Sequence, residues 1–423
     1  MTRSNHQKMN RAIVAGCVVL TSIISVTPAW TRCVTLTSVT SSAITSVKCE
    51  VLPKIPITPW PIPSPKASPT VPALKRLTTA PKDLGFDRAL FGLNNDRSAL
   101  LKSIDRSLNY LRTDAAARAY RHYPIVGVTQ GRVLRSLRRF RVLVQTSKTS
   151  EQLQQQVIQE FDFYESSGKD GNGTVDFTGY FEPVYAASRT PNAMFRYPLY
   201  RQPRGFVNWP KPHPTRAELE GNDGLNAKQG KLNGSELVWM NDRLQAFLVQ
   251  VQGSARLSLT DGTTMAIGFD GNTDYPYVGI GRELIKDGKF TLDELTLPKI
   301  LQYFQDNPTD LDSYLPRNNR FVFFRNTQGA LATGSLGLPV TANRSIATDK
   351  KKMPPGALAL IDTELPNNQL TSERVGQFVL DQDTGGAIVG PGRVDVFMGT
   401  GDRAKAKAGL VRSIGKLYYL LLK

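Results

Sequence analysis

The sequence predicts a mainly β body preceded by a helical segment. Three observations carry that reading. After residue 172 the chain breaks into short alternating runs separated by turns. From about residue 84 to 166 the apolar residues follow a helical period instead. Turn formers are abundant throughout, with 34 glycines and 27 prolines among 423 residues. The length exceeds one ordinary domain, so two domains with appendages are expected.

Residues 1–30 read as a signal peptide or membrane anchor. Arg3, Lys8 and Arg11 precede an uncharged run from Ala12 to Trp30, the order of an export segment. The run is also about the length needed to span a bilayer, roughly 20 residues. "VAGC" at Val14 to Cys17 resembles a bacterial lipoprotein acceptor, although few apolar residues precede Cys17 and many follow it. Export, membrane attachment through the N-terminus, or both are therefore expected.

Residues 31–82 form a proline-rich linker, with nine prolines between Pro53 and Pro81. Such a composition favours extended polyproline II over a packed core. All three cysteines, Cys17, Cys33 and Cys49, lie before residue 50, so a disulfide between the last two would staple this tail and no core.

Residues 83–166 form a basic helical segment leading into the body. Lys75 to Lys148 contains sixteen Lys/Arg, five Asp and no Glu, much of the formal net charge of +17. In "GRVLRSLRRFRVLV", Val133, Leu137, Phe140 and Val144 recur at spacings of four, three and four, with Arg132, Arg135, Arg138 and Arg139 mostly on the other face. A second helix is expected from about Ser150 to Tyr164. Basic charge of this kind suits a polyanion: nucleic acid, an acidic membrane surface or a carboxylate-bearing wall polymer. Export argues against nucleic acid.

The remainder, 167–318 and 319–423, reads as two β regions. "TVDFTGYFEPVYAAS", "LVWMNDRLQAFLVQVQGSARLSLTDG", "TMAIGFDGN", "RFVFFRN" and "AIVGPGRVDVFMG" are read as strands, with one helix near Leu292 to Gln305.

Metal and thiol chemistry find little support, because His6, His122 and His213 are scattered and no H-x-x-x-H or C-x-x-C spacing occurs. No metal or cofactor is expected. Carboxylates remain. Asp383-Thr384-Gly385 resembles an aspartic-protease loop, but that mechanism needs two such loops sharing a proton and the chain has one. Ordinary glycosidases also use two carboxyl groups, about 5 to 9.5 Å apart. One suffices if the sugar supplies its own nucleophile.

In "GRVDVFM", alternation puts Arg393, Asp395 and Phe397 on one strand face and Val394, Val396 and Met398 on the other. Asp395 then looks outward beside an aromatic ring and an arginine, a placement that suits a general acid. Thr178 and Tyr180 share one face of "FTGYFEPVY", and Gln250, Gln252 and Ser254 end a predicted strand; hydroxyls, amides and aromatic rings suit a saccharide, though each also fits core or turn.

Together "FTGYFEPVY", "FLVQVQGSARLSLTDG", "YPYVGIGRELIKDG", "TANRSIATDKKKMPPGALALIDT" and "QDTGGAIVGPGRVDVFMGTGD" resemble, in order, the membrane-bound lytic murein transglycosylase A family, from about residue 90 to Lys423. The last third is similar to a three-aspartate domain, with Asp349, Asp383 and Asp395 at its aspartates. The resemblance implies a double-psi β-barrel built from both ends of the homologous region, with an inserted second β domain. It implies non-hydrolytic cleavage of the β-1,4 bond between N-acetylmuramic acid and N-acetylglucosamine in peptidoglycan, leaving 1,6-anhydromuramic ends. Asp395 falls at the catalytic aspartate. Asp383 and Asp349 would support it, and Thr178, Tyr180, Gln252 and Ser254 would line the saccharide groove. It further implies a monomer in the periplasm or on the periplasmic face of the outer membrane. Ala255 departs from the family, which often has glycine there. A wall-binding protein without catalysis is the alternative reading.

Overall fold

The computed structural model describes residues 72–423, apart from 92–94, 227–229 and 293. The export segment, the three cysteines and most of the proline-rich linker lie outside the described residues. Among the described residues no helix is long and apolar enough to cross a membrane.

The lead-in opens with a short strand β1 (Leu74–Arg76), followed by helices α1 (Arg97–Tyr110), α2 (Asp114–Tyr120), α3 (Gln130–Thr146) and α4 (Ser150–Glu160). The last three share one device at their start. Thr113, Thr129 and Thr149 each accept the backbone N–H of the residue three further on, Ala116, Arg132 and Gln152, supplying an acceptor to a donor that the first turn leaves free. In α3 the predicted stripe is the buried one: Val133, Leu137, Phe140 and Val144 are fully covered. Arg132 and Arg139 bind Asp162 and Glu160, both at 2.6 Å, while Arg135 and Arg138 stay exposed.

The second helix stops earlier than its sequence suggests. At Phe161 the chain turns into β2 (Phe161–Ser166), where Phe161, Asp162, Phe163 and Tyr164 are all buried. Both faces of this strand are covered, so its apolar run does not alternate and merges with the preceding helical pattern. Aromatic residues favour the strand.

Next comes β3 (Val175–Glu182). A second sheet then intervenes, from β4 (Val184–Ser188), β5 (Tyr197–Tyr200), β6 (Glu236–Met240), β7 (Ser254–Leu259) and β8 (Thr264–Asn272) to β9 (Val322–Asn326), in the order β5-β6-β4-β7-β8-β9. The chain returns through β10 (Ser345–Ala347), β11 (Leu358–Pro366), β12 (Ser372–Asp383), β13 (Arg393–Thr400) and β14 (Arg412–Leu422). These five close on β3: the order β14-β11-β12-β10-β13-β3 ends with β3 paired back to β14. The result is a closed six-stranded barrel, with β2 and β1 continuing the sheet outward from β14. Two of its pairs are parallel, β13 with β3 and β10 with β12, as in a double-psi β-barrel. By strand pairing the insert runs from Val184 to Asn326, because β3 bonds to β13 and β14 whereas β9 bonds to β8. The boundaries expected at 167 and 319 therefore move to about 183 and 326.

Among the described residues the insert holds five α-helices: α5 (Arg216–Glu220), α6 (Arg243–Gln252), α7 (Ile280–Lys286) and α8 (Leu297–Asp306), with the short α9 (Leu311–Tyr314). The segment before Ser254, read from sequence as a strand, is the helix α6. Leu244, Phe247 and Leu248 pack with Ile280, Leu284 and Phe304, whereas Ala246 and Val249 join the sheet core. Burial on both sides produces a continuous apolar run that periodicity alone cannot assign. Asp242, accepting the Gln245 N–H at 2.8 Å, and Gly253, left-handed at φ 78°, mark its ends. The helix expected near Leu292 is α8, which starts at Leu297 behind the cap Thr296.

A last helix, α10 (Asp402–Leu410), crosses β3. A side chain at Gly179 would sit 2.7 Å from Ala408 Cα, so glycine is what lets helix and strand approach. The lead-in belongs to the same core as the barrel: Leu100, Ile104 and Phe140 cluster with Phe161, Ile361, Phe378 and Tyr419. Fully buried Arg344 ties the two together, binding Asp87 at 2.5 Å, Asp96 at 2.6 Å and the Phe378 carbonyl at 2.9 Å.

Candidate active site

The parallel pair β3 and β13 sets the site. Their register places Asp395 opposite Thr178 and Phe397 opposite Tyr180. Alternation turns Val394 and Val396 into the barrel core, where both are fully buried, and leaves Arg393 and Asp395 on the other face. The Asp395 side chain is 17% exposed.

The Thr178 hydroxyl donates to Asp395 Oδ1, and Arg393 Nε donates to the same oxygen at 3.2 Å. Arg393 also reaches Thr178 Oγ1 at 3.4 Å. Asp395 Oδ2 has no hydrogen-bond partner among the described residues. One oxygen is thus held and the other is open.

Further along the pair, the Tyr180 and Phe397 rings lie 5.2 Å apart between centroids. Tyr180 donates its hydroxyl to Asp383 Oδ2 at 2.8 Å. Burial raises the Tyr180 pKa well above the usual phenol value, with the Asp383 charge adding to it, so the ring acts as a neutral donor. Asp383 Oδ1 accepts the backbone N–H groups of Ser335 at 2.7 Å and Thr384 at 2.8 Å. Burial nevertheless holds the Asp383 carboxyl above the ordinary range, outweighing these bonds. Both Asp383 oxygens are occupied, in contrast to Asp395.

Asp349 binds the glycine-rich loop before β13: Oδ2 accepts the Gly390 N–H at 2.8 Å and Oδ1 that of Lys351 at 3.0 Å. It lies outside the cleft lining. Gln252, the last residue of α6, accepts the Phe181 N–H at 3.2 Å and so joins the insert to β3. Ser254 begins β7. Gln250 is turned inward, accepting Arg216 Nη2 at 2.7 Å and the Val322 N–H at 3.2 Å.

Between barrel and insert runs a cleft of about 1910 Å³. Asp395, Asp383, Thr178, Tyr180, Gln252 and Ser254 all line it. Exposed apolar side chains at its edge include Phe269, Val389 and Ile414. Sequence reasoning missed Tyr277, Arg282 and Arg320, which line the insert wall. The first two fall inside the quoted block "YPYVGIGRELIKDG" without any motif of their own, and Arg320 is a lone arginine before a strand. Among the described residues no group of three or more His, Cys, Asp or Glu is arranged to hold a metal.

The comparisons agree with this architecture. The MltA specific insert domain model matches residues 176–325, and the 3D domain model matches residues 344–421. Membrane-bound lytic murein transglycosylase A from Vibrio cholerae is 32% identical over 262 residues, covering 60% of this chain and 68% of that protein. The chain belongs to the membrane-bound lytic murein transglycosylase A family. The Escherichia coli K12 member of the family is 29% identical over 266 residues, 61% of this chain and 69% of that protein. A crystal structure of a membrane-bound lytic murein transglycosylase from Agrobacterium tumefaciens superposes with a TM-score of 0.63 at 26% identity, covering 77% of this chain and 93% of that one. The E. coli MltA structure with bound chitohexaose has the same fold at 22% identity and a TM-score of 0.63, covering 83% and 95%. The family is one of enzymes, and its double-psi barrel with an MltA-type insert is the fold described above.

Proposed function

We propose that this chain is a peptidoglycan lytic transglycosylase that cleaves the β-1,4 bond between N-acetylmuramic acid and N-acetylglucosamine, with Asp395 as its general acid and base. Family membership supports the reaction class. The observation that carries the assignment of Asp395 is its asymmetry: Oδ1 is tethered by Thr178 and Arg393, and Oδ2 is open in a cleft large enough for several sugar units.

The protonated carboxyl of Asp395 gives its proton to the glycosidic oxygen, and the bond from that oxygen to muramic C1 breaks. The carboxylate left behind faces the positive character at C1. The C6 hydroxyl of the same muramic residue then attacks C1, and its proton passes to Asp395, regenerating the acid. A 1,6-anhydro ring forms and no water is consumed. Attacker and electrophile share one sugar, so orientation supplies much of the rate. Asp383 supports the site through Tyr180 and the loop that follows it, Asp349 through Gly390, and Thr178, Tyr180, Gln252 and Ser254 face the glycan. The export-like N-terminus and the relatives' description as membrane-bound support action in the periplasm or at the periplasmic face of the outer membrane.

The test is mass spectrometry of soluble products from murein sacculi treated with the wild type and with Asp395→Asn. Anhydro-ended muropeptides from the wild type alone are expected. Reducing ends would indicate hydrolysis. Binding without release by either protein would favour a wall-binding role.

A further inference from the structure

The cleft carries more positive charge than the proposed acid-base step uses. Four of its basic side chains are matched within the fold: Lys169 to Asp176 at 2.6 Å, Arg216 to Glu220 at 2.9 Å, Arg325 to Asp270 at 3.4 Å and Arg393 to Asp395 at 3.2 Å. Arg320 differs. Its guanidinium is half-buried on the insert wall, its hydrogen-bond partner is the neutral Asn272 Oδ1 at 2.9 Å, and no carboxylate among the described residues pairs with it. Burial lowers its pKa with no acid to offset the effect. A desolvated cation without a counter-charge costs stability, so something outside the fold is the natural partner.

Its position points the same way. A side chain at Gly386 would begin 3.2 Å from Arg320 Cζ and 3.2 Å from Tyr277 Cβ. Glycine there lets the guanidinium of the insert lie against the barrel loop that follows Asp383. Tyr277 lines the cleft together with Arg393, Arg282 and Asp395. Arg320 therefore stands by Tyr277 in the cleft that the proposed acid also lines, with exposed Arg282 in the same lining.

We propose that Arg320 is the docking point for a carboxylate borne by the muramic residue of the glycan, and so makes the cleft prefer murein to uncharged glucosamine polymers. This rests on the transglycosylase reading above. Alternate sugars of the strand differ in charge: N-acetylglucosamine has no carboxyl group, whereas muramic acid carries a lactyl carboxyl. That group is free on denuded strands and amide-linked where a stem peptide is attached, and the peptide brings carboxylates of its own. A guanidinium fork binds either in two-point fashion. It thereby sets the register of the strand, placing a muramic and not a glucosamine residue on the C1 side of Asp395.

The test uses the full chain and three ligands: denuded glycan strands, strands with intact stem peptides, and chitohexaose as the uncharged control. For Arg320→Gln, KM on the carboxylate-bearing substrate is expected to rise about tenfold with kcat little changed, while the chitohexaose Kd stays at the wild-type value. Arg320→Lys restores part of the loss, because the charge remains and the fork does not. A penalty confined to denuded strands identifies the lactyl carboxylate; one confined to peptide-bearing strands identifies the peptide. Equal weakening toward chitohexaose would overturn the proposal in favour of a role in cleft shape, and so would no change with any ligand. Kd values for the same three ligands, taken in an Asp395→Asn background, read this preference without turnover. Absence of anhydro products from the wild type would count against the reaction and leave the charge preference to those Kd values.

Discussion

Thr178 and Asp395 stand 217 residues apart in the chain and side by side in the barrel, joined by a hydroxyl-to-carboxylate hydrogen bond across a parallel strand pair. A threonine hydroxyl on a neighbouring strand has few rotamers, so it fixes the carboxylate's plane as well as its place. Thr178→Val keeps the shape and removes the donor. Its kcat on sacculi should fall about tenfold, the value of one charge-assisted bond, with KM nearly unchanged, as steady-state kinetics would show.

Asp395→Asn should lower turnover by about 10²- to 10⁴-fold, the usual contribution of a positioned acid or base. The amide oxygen can still accept from Thr178, so the thermal unfolding curve should overlay that of the wild type. A loss of activity accompanied by a large drop in melting temperature would instead mean that Asp395 holds the barrel together.

Asp383 predicts a pH effect on stability. Its carboxyl titrates above the unfolded value because burial disfavours the charge. Near that pKa the folded state binds more protons than the unfolded state, so this group's contribution to stability falls as pH rises from the unfolded carboxylate range through the folded pKa. Asp383→Asn removes the decline. The variant should gain on the wild type as pH rises through this window in melting curves, with the gain constant above it.

Arg344 is fully buried against Asp87 and Asp96. Arg344→Leu strands two carboxylates and should cost about 3–5 kcal/mol in chemical denaturation, the penalty for breaking a buried pair by removing one partner. Because Asp87 and Asp96 lie in the lead-in just before α1 and Arg344 precedes β10, the first effect should be undocking of α1, visible as faster amide exchange across Leu100 to Leu108.

Gly376 of β12 meets Gly85 backbone to backbone. A methyl group there would begin 2.0 Å from the Gly85 carbonyl oxygen, and the nearest atoms it would meet are all Gly85 backbone, with no flexible side-chain end among them to move aside. Gly376→Ala should destabilise by about 1–3 kcal/mol, as overpacking does, measured by urea midpoint.

The barrel half of the site was legible in sequence because a strand's period of two assigns side chains to faces without reference to the rest of the fold. Arg393, Asp395 and Phe397 on β13 and Thr178 and Tyr180 on β3 fall where alternation puts them. The insert half was harder. Gln252 closes a helix and not a strand, since the apolar run of α6 is buried on two sides and carries no readable period. Arg320 and Tyr277 reach the cleft only through packing of the insert against the barrel, a relation no local pattern encodes. The charge arrangement at Arg344 was invisible for the same reason: its partners lie about 250 positions away.

The way the barrel closes has a bearing on how the chain must be handled while it is made. β3 bonds to β13 on one side and to β14 on the other, and both arrive after residue 392. Throughout synthesis of the insert β3 therefore has two open edges, the kind of surface that recruits foreign strands. Early compaction of that strand has nothing native to pair with. A chain built this way gains from being kept extended until its final strand is available, which suits transport in an unfolded form and makes barrel closure a late, single event.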